Sequence, residues 1–334
     1  MRYYLLSENG NDYKANLHCH TNISDGKLTP QEVKELYKSL GYSIVAYTDH
    51  DIFITHNELT DGEFLALNGY ENAANEDSDD WKRLKCCHFC AIANSPDIEL
   101  QPMWHRTLYN CGNAEKNCHL VKFDETKPDY IRRYGSDGIS EMMAIDAKEG
   151  FFVTYNHPTW SLEGYPEYSG YTGMHAMEMF NGGCIASGYE EFNARVYDDM
   201  LRLGRRISAL AGDDNHNHGN DSGIAWTVIR ADELKYESVM KALYDKNTYA
   251  TMGPEIRALY IEDGKICVEC SDARRILYNT GVRSARAVVA PKGERVNKAS
   301  FPYDPECGYF RITVIDKNGN KAYSNAYFAD EIEL

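Results

Sequence analysis

The strongest constraint on the fold of this chain is a series of short apolar runs, most of which stop at a histidine or a carboxylate. His18-Cys19-His20 ends the first strand-like run, and His50 follows the run 44–47 within Thr48-Asp49-His50-Asp51. Glu71 follows Leu67-Asn68-Gly69-Tyr70, and His157 follows 151–155 and precedes Pro158. Asp214-Asn215-His216 comes after 207–211 and Gly212, while His88 sits between Cys87 and Phe89 at the entry to Cys90-Ala91-Ile92. Asp25, in Ser24-Asp25-Gly26, lies on the loop between the first run and the first helix. Runs of this length, rich in β-branched and aromatic residues, read as buried strands.

Helical patterns separate these runs. Thr29-Pro30-Gln31-Glu32 supplies an N-cap and a proline at the first helical position, ahead of Val33, Leu36, Tyr37 and Leu40 at helical spacing, and Gly41 closes the helix. Similar patterns cover 140–149 and 190–203. Strands alternating with helices from about residue 14 to 253 imply a mainly parallel sheet or barrel. After Gly253-Pro254 the pattern changes to short strands and turns at 257–261, 266–270, 285–289, 309–315 and 322–328. Asn318-Gly319 between alternating apolar runs is a hairpin signal. The expected division is therefore 1–253 for the α/β unit and 254–334 for a small all-β, sandwich-like domain. The stretch 75–140 is the least regular, with exposed loops expected at 76–80 and 110–117.

Composition narrows the function classes. Thirty-five basic against 51 acidic residues leave a net charge of −16, a poor match for long nucleic acid. No apolar run reaches the ~18–20 residues of a membrane helix, so no membrane partner is expected. The opening residues turn polar at once, and ten cysteines in a chain of this length fit a reducing compartment, so a cytoplasmic location is expected.

In a strand, positions i and i+2 face the same side, so His18 and His20 can reach one ion. In a barrel the carboxyl ends of the strands converge on one face, where catalytic residues collect. Imidazoles mixed with carboxylates suit zinc, iron or manganese and suit calcium poorly. A structural zinc site closes with four ligands, whereas His18, His20, Asp25, His50, Glu71, His88, His157, Asp214 and His216 are too many for one ion. They point to two or three ions sharing a carboxylate. His56, His105, His119 and His175 have no partner motif, and His218 belongs to a polar loop.

The ordered set resembles the PHP (polymerase and histidinol phosphatase) superfamily. The matching residues are Asn16-Leu17-His18-Cys19-His20-Thr21, Ser24-Asp25-Gly26, Tyr47-Thr48-Asp49-His50-Asp51, Asn68-Gly69-Tyr70-Glu71, His88, Asn156-His157-Pro158 and Gly212-Asp213-Asp214-Asn215-His216. Met177-Glu178-Met179-Phe180-Asn181 resembles the strand before the last metal motif. Ala225-Trp226 and the stretch 247–254 resemble the CehA/McbA-type branch, which carries a β-rich tail. The resemblance implies a distorted (β/α)7 barrel and three divalent transition-metal ions. His18 and His20 would hold the first with Glu71 and Asp214. Glu71 would bridge to the second, completed by His88 and His157. Asp25, His50 and His216 would hold the third, Asp25 standing where some relatives have histidine. Asp49 or Asp51 is expected to orient ligands from behind.

The implied activity is phosphoesterase hydrolysis of a small phosphorylated metabolite or nucleotide by a water activated between ions, with Glu71, His50 and Asp214 as the catalytic candidates. The same ions would also serve attack on a non-phosphate ester, amide or carbamate. A third reading is a binding protein that retains the fold without turnover.

Overall fold

The first helix forms where its caps are strongest. Thr29 Oγ1 accepts from Glu32 N at 3.2 Å while Glu32 Oε2 accepts from Thr29 N at 2.9 Å, so each end of the capping box satisfies an otherwise free donor. The helix runs Pro30–Ser39, and Gly41 leaves it at φ +78°, a conformation that favours glycine. It buries Val33 and Tyr37 and delivers the chain to the next strand. The computed structural model describes residues 2–333.

The fold is mixed α/β, with one large sheet and additional all-β strands. The first strands are β1 (Tyr3–Leu6), β2 (Asn11–Asn16), β3 (Ile44–Tyr47), β4 (Leu65–Asn75), β5 (Cys86–Ala93) and β6 (Phe151–Tyr155). They are followed by β7 (Ala176–Asn181), β8 (Ser208–Gly212), β9 (Trp226–Ala231) and β10 (Thr248–Thr251). Strands β2, β3 and β4 pair in parallel, as do β6, β7 and β8. Between these sets β5 runs antiparallel to both β4 and β6. The mainly parallel expectation fails there because residues 76–85 return directly, closed by Glu76 N donating to Lys85 O at 2.8 Å. A direct return of this kind gives an antiparallel hairpin, whereas a parallel neighbour needs a crossover. Strand β9 is antiparallel to β2, and β10 to β9. The sheet curls so that β8 meets β9, where Thr227 Oγ1 accepts from Ala211 N and donates to Ala211 O, both at 2.9 Å. Helices Ser136–Lys148, Ala194–Arg202 and Tyr236–Tyr244 link or flank these strands. Among the described residues no helix is long and apolar enough to cross a membrane.

The remaining strands are β11 (Ile256–Glu262), β12 (Lys265–Ala273), β13 (Arg275–Thr280), β14 (Arg286–Val289), β15 (Val296–Pro302), β16 (Tyr309–Ile315), β17 (Lys321–Ser324) and β18 (Tyr327–Phe328). The Asn318-Gly319 turn joins β16 to β17, with Gly319 at φ +91° and Asp316 accepting from Asn318 N at 2.8 Å. Strands β13 and β15 are not legible in the sequence. In β13 the apolar stretch is only Ile276-Leu277-Tyr278, and in β15 Phe301 is the one fully buried side chain, so neither stands out as a long apolar run.

The hydrogen-bonded ladder crosses residue 253. Strand β10 pairs with β17, extending the large sheet through β16, β13 and β14, while β1 pairs with β11 in a second sheet of order β1-β11-β12-β15. An apolar cluster holding Leu5, Val228, Tyr249, Leu259, Val268, Ile312 and Val314 fills the space between the two sheets. An ion pair with one buried and one half-buried partner adds to the join: Arg311, 4% exposed, donates from Nε and Nη2 to both carboxylate oxygens of Asp198 at 2.9 and 2.8 Å. Removing one partner of a buried pair strands the other charge, whereas replacing both with apolar groups is often neutral. Arg311→Met should therefore lower unfolding stability by about 3 kcal/mol in urea titrations. Arg311→Met combined with Asp198→Leu should recover most of that loss.

Candidate metal centre

Glu71 stands in the middle of β4 and is fully buried. In the β4–β5 register Glu71 lies opposite Cys90 and Ala73 opposite His88, so Glu71 and His88 share one face as diagonal neighbours. His50 forms an isolated bridge with Glu71 just past the end of β3. His18 and His20 follow β2, and Cys19 between them points away into the apolar cluster of Val33, Tyr37 and Tyr47. Gly212, at the end of β8, allows the last motif to come close: a Cβ there would lie 2.8 Å from His18 Cβ. Asp214 follows in the left-handed region at φ +51°, and Asp51, beside His50, is held at φ +68°. Non-glycine residues in that region cost of order 1 kcal/mol and persist where the surroundings demand them.

The result is one carboxylate ringed by five imidazoles. His18 Nε2, His50 Nδ1, His20 Nε2, His157 Nε2 and His88 Nδ1 lie 3.1, 3.1, 3.3, 3.3 and 3.4 Å from Glu71 oxygens. Asn156 Nδ2 donates to Oε1 at 2.8 Å, yet Oε2 has no hydrogen-bond partner, and neither does His20 Nδ1. His18 Nε2 and His20 Nε2 face each other at 3.1 Å.

All nine residues singled out from sequence come together here. Three sets of potential ligands have donor atoms mutually within 4.8 Å: His18, His20, Glu71 and Asp214; His50, Glu71 and His88; and His20, Asp25, His50 and His216. The first is the set expected from the family resemblance. The other two differ from it: His50 joins Glu71 and His88, and His20 joins the Asp25 group. His157 stands outside these sets, 3.3 Å from Glu71 Oε1 and 3.8 Å from Asp214 Oδ2. A neutral imidazole has only one lone-pair nitrogen, so His20 and His50 can each serve only one ion at a time.

The electrostatics suit cations. Burial opposes the charged form of His18, but Asp214, Cys90, Glu71 and Glu178 outweigh it and hold its pKa well above the ordinary value. Burial likewise opposes protonation of His20 and His88, and the neighbouring carboxylates again reverse the sign. Burial would raise the Glu71 pKa, yet His18, His50 and His88 hold it well below the usual carboxylate range. His50 goes the other way: burial and the His20 charge lower it to about 4. Carboxylates that draw protons onto crowded imidazoles will also draw metal cations, and the orphaned Glu71 Oε2 and His20 Nδ1 are free to act as ligand atoms.

The residues behind the ligands were mostly missed in the sequence. Glu178, on β7, accepts from His18 Nδ1 at 2.8 Å and from His157 N at 3.0 Å, leaving His18 Nε2 to face the centre. Asn181 donates to both Glu178 and Asp214. The available signal was a lone charge in the otherwise apolar run Ala-Met-Glu-Met-Phe. Neither Asp49 nor Asp51 contacts an imidazole. Asp49 accepts from the backbone and hydroxyl groups of Thr21 and Ser24, which fixes the loop bearing Asp25. Asp51 pairs with Arg132 and accepts from Cys111 N. His218 bonds to the Asp25 carbonyl at 3.0 Å, on the rim.

The centre floors a cavity of about 580 Å³ whose wall includes Asn75, Trp160, Cys184, Ser187 and Asp221. Among the described residues that line it there is no lysine or arginine. Trp160 packs on His88 and His157, with ring centroids 5.2 and 5.1 Å apart. Its backbone N and that of Thr159 are held by the buried Glu191 carboxylate at 2.9 and 3.0 Å.

No family model and no curated protein matches the chain. Several solved structures are similar to it. One is a two-domain protein from Bacteroides vulgatus containing a predicted PHP-like metal-dependent phosphoesterase, at 14% identity, TM-score 0.46 and 96% coverage of both chains. Another is a presumptive metal-dependent phosphoesterase from Bifidobacterium adolescentis, at 18% identity and TM-score 0.40, covering 62% of this chain and 88% of that one. A third is an amidohydrolase from Chromobacterium violaceum with bound sulfate and no metal, at 16% identity and TM-score 0.37, covering 62% and 89%.

Two outcomes follow from the supports around Glu71. Glu178→Ala leaves every ligand in place but frees His18 Nδ1, so competition with a chromophoric chelator should show metal affinity reduced by about 10–100-fold. Behind β4, the buried Asp146 carboxyl accepts from Tyr70 Oη at 2.6 Å and Asn72 Nδ2 at 3.0 Å, and burial pushes its pKa up to about 7 from 3.8. The folded chain thus keeps this proton more tightly than the unfolded chain. The stability it contributes is full below pH ~4 and lost as pH rises towards 7. Asp146→Asn should shrink the difference between urea midpoints at pH 5 and pH 8, and an unchanged difference would place the titration elsewhere.

Proposed function

We propose that this protein is a metal-dependent hydrolase of the PHP type, built on a distorted (β/α)7 barrel and most active as a phosphoesterase on a small phosphorylated substrate. The observation that carries the proposal is the buried Glu71 carboxylate, touched by five imidazoles and left with an unpartnered oxygen. A buried anion of this kind needs a compensating cation, and the surrounding nitrogens and carboxylate oxygens are those that zinc, iron and manganese accept. His18, His20, Glu71 and Asp214 would hold one ion. Glu71 would share a second with His88 and His157, and Asp25, His50 and His216 would hold a third.

When bound, such ions supply Lewis-acid stabilisation of developing negative charge and a nucleophile at neutral pH. The chain's own part is positioning. Glu178 selects the tautomer of His18 that presents Nε2, and Ser161 Oγ, 3.2 Å from His157 Nδ1, does the same for His157. Asn156 fixes one oxygen of Glu71 and leaves the other exposed to the centre. Glu191 holds the Trp160 loop against His88 and His157.

The absence of lysine and arginine from the cavity wall, among the described residues, favours a second reading. A phosphoryl dianion would find no side-chain cation there, so hydrolysis of a non-phosphate ester, amide or carbamate by the same centre is the alternative.

The test is chelation of the purified protein, reloading with zinc, manganese or iron, elemental analysis, and a screen of phosphomonoesters, phosphodiesters and carboxyl esters. Two to three ions per chain and activity that returns with the metal are expected. Less than one ion per chain after reloading would sink the proposal. Among variants, Glu71→Ala should lose the most metal and activity, His157→Ala and Asp25→Ala about 10–100-fold, and His105→Ala none.

A further inference from the structure

One buried acid of the cavity is left unused by the metal centre. Asp221 lines the cavity, is only 9% exposed, and belongs to none of the three ligand sets. Its Oδ2 accepts from His216 N and Asn217 N, both at 2.9 Å, and is thereby committed to its own loop. Its Oδ1 has no hydrogen-bond partner. A carboxylate oxygen removed from water is costly unless something donates to it.

A second orphaned acceptor stands on the same side. Asn110 also lines the cavity, and its Oδ1 likewise lacks a donor. Its chain neighbour Cys111 places Sγ 3.6 Å from Asp25 Oδ2, and His216, whose backbone Asp221 holds, places Nε2 3.4 Å from the same oxygen. The cavity therefore has two sides of different chemistry. Trp160 packs on His88 and His157, whereas the unpaired acceptors gather around Asp25 and His216. The loop that carries Asp221 is fixed in advance, because Asn217 accepts from Asn215 Nδ2 at 3.0 Å and donates to Ser222 Oγ at 2.9 Å.

We propose that this side of the cavity binds a protonated amine carried by the substrate, with Asp221 Oδ1 accepting one of its N–H groups. The inference rests on the hydrolase reading above and adds a charged group that the substrate must carry beside the bond to be cleaved. The protein cannot fill the role itself, since among the described residues no lysine or arginine lines the cavity. A further divalent ion fits poorly, because one free carboxylate oxygen and one amide oxygen are too few ligands. An ammonium group needs only acceptors, offers three donors and brings the compensating charge. A single free oxygen also suits an ammonium better than a guanidinium, which pairs best with both oxygens of a carboxylate.

The test titrates metal-reloaded protein by calorimetry with aminoethylphosphonate and hydroxyethylphosphonate, near-isosteric ligands that differ in the charge of the terminal group. The amine should bind tighter by about 10–100-fold, as a hydrogen bond between charged groups implies. Asp221→Asn keeps an oxygen for His216 N and Asn217 N, so the loop is preserved. It should erase most of the preference while the metal content per chain stays the same, and His105→Ala should keep the preference. The kcat/KM ratio of phosphoethanolamine to hydroxyethyl phosphate should fall by a similar factor in Asp221→Asn, a comparison from which the intrinsic reactivity of the two esters cancels. Equal affinity for the two phosphonates overturns the amine site, as does a preference that survives Asp221→Asn. Loss of metal on that substitution also overturns it, because Asp221 would then be a ligand. If neither phosphonate binds and neither phosphate is cleaved, the same comparison is made with β-alanine methyl ester and methyl hydroxypropionate. A preference for the amine that Asp221→Asn removes would then leave the amine site standing while the phosphoester reading falls, and no such preference overturns the site.

Discussion

A fully buried carboxylate whose second oxygen has no donor is the feature on which the rest of this structure turns. Leaving an ionised group uncompensated in the interior costs several kcal/mol, and of the two Glu71 oxygens only Oε1 is hydrogen-bonded, to Asn156 Nδ2 and His157 Nε2. The chain meets that cost by bringing other strand ends to the same point. Strand β5 turns back as a hairpin so that His88 lies diagonal to Glu71. The segment after β2 supplies two imidazoles from one face, and Gly212 lets the β8 end close on His18. The backbone strain at Asp51 and Asp214 is local and lies where these segments meet.

Rigidity comes from the layer behind. Glu178, Asn181, Ser161, Asp49 and Glu191 each make hydrogen bonds that fix one of the clustered side chains or the loop that carries it. Asp146 clamps Tyr70 and Asn72, the residues on either side of Glu71. The anion is therefore held rigidly, and little conformational freedom would remain to be lost if an ion bound there. The all-β strands contribute indirectly. They cover β9 and β10, and through Arg311 and Asp198 they brace the helix Ala194–Arg202.

Much of the site was legible because its residues are locally anomalous. Histidines and acids that interrupt or end apolar runs have no packing reason to be there, so His18, His20, His50, Glu71, His157 and Asp214 stand out, and the His-Cys-His alternation shows that two imidazoles share a face. Glu178 was passed over, although a charge within Ala-Met-Glu-Met-Phe is the same kind of anomaly. Trp160, Ser161 and Glu191 give no local signal, since their roles depend on which loop lies across from them. The antiparallel course of β5 was hidden as well. A fully buried strand reads as a continuous apolar run in either direction, and only the return at 76–85 decides between them.

By itself the sequence determined which residues could bind metal, the alternation of strands and helices, and the turn chemistry at Thr29, Gly41 and Gly319. These follow from side-chain chemistry and backbone preference, which act over a few residues. The tertiary structure alone decided how the imidazoles divide around Glu71, that His157 stands apart from the closest sets, and that the β-rich strands continue the large sheet past residue 253. Each of these depends on distances between segments far apart in the chain. Such distances are set by packing and strand register, to which no local pattern is sensitive.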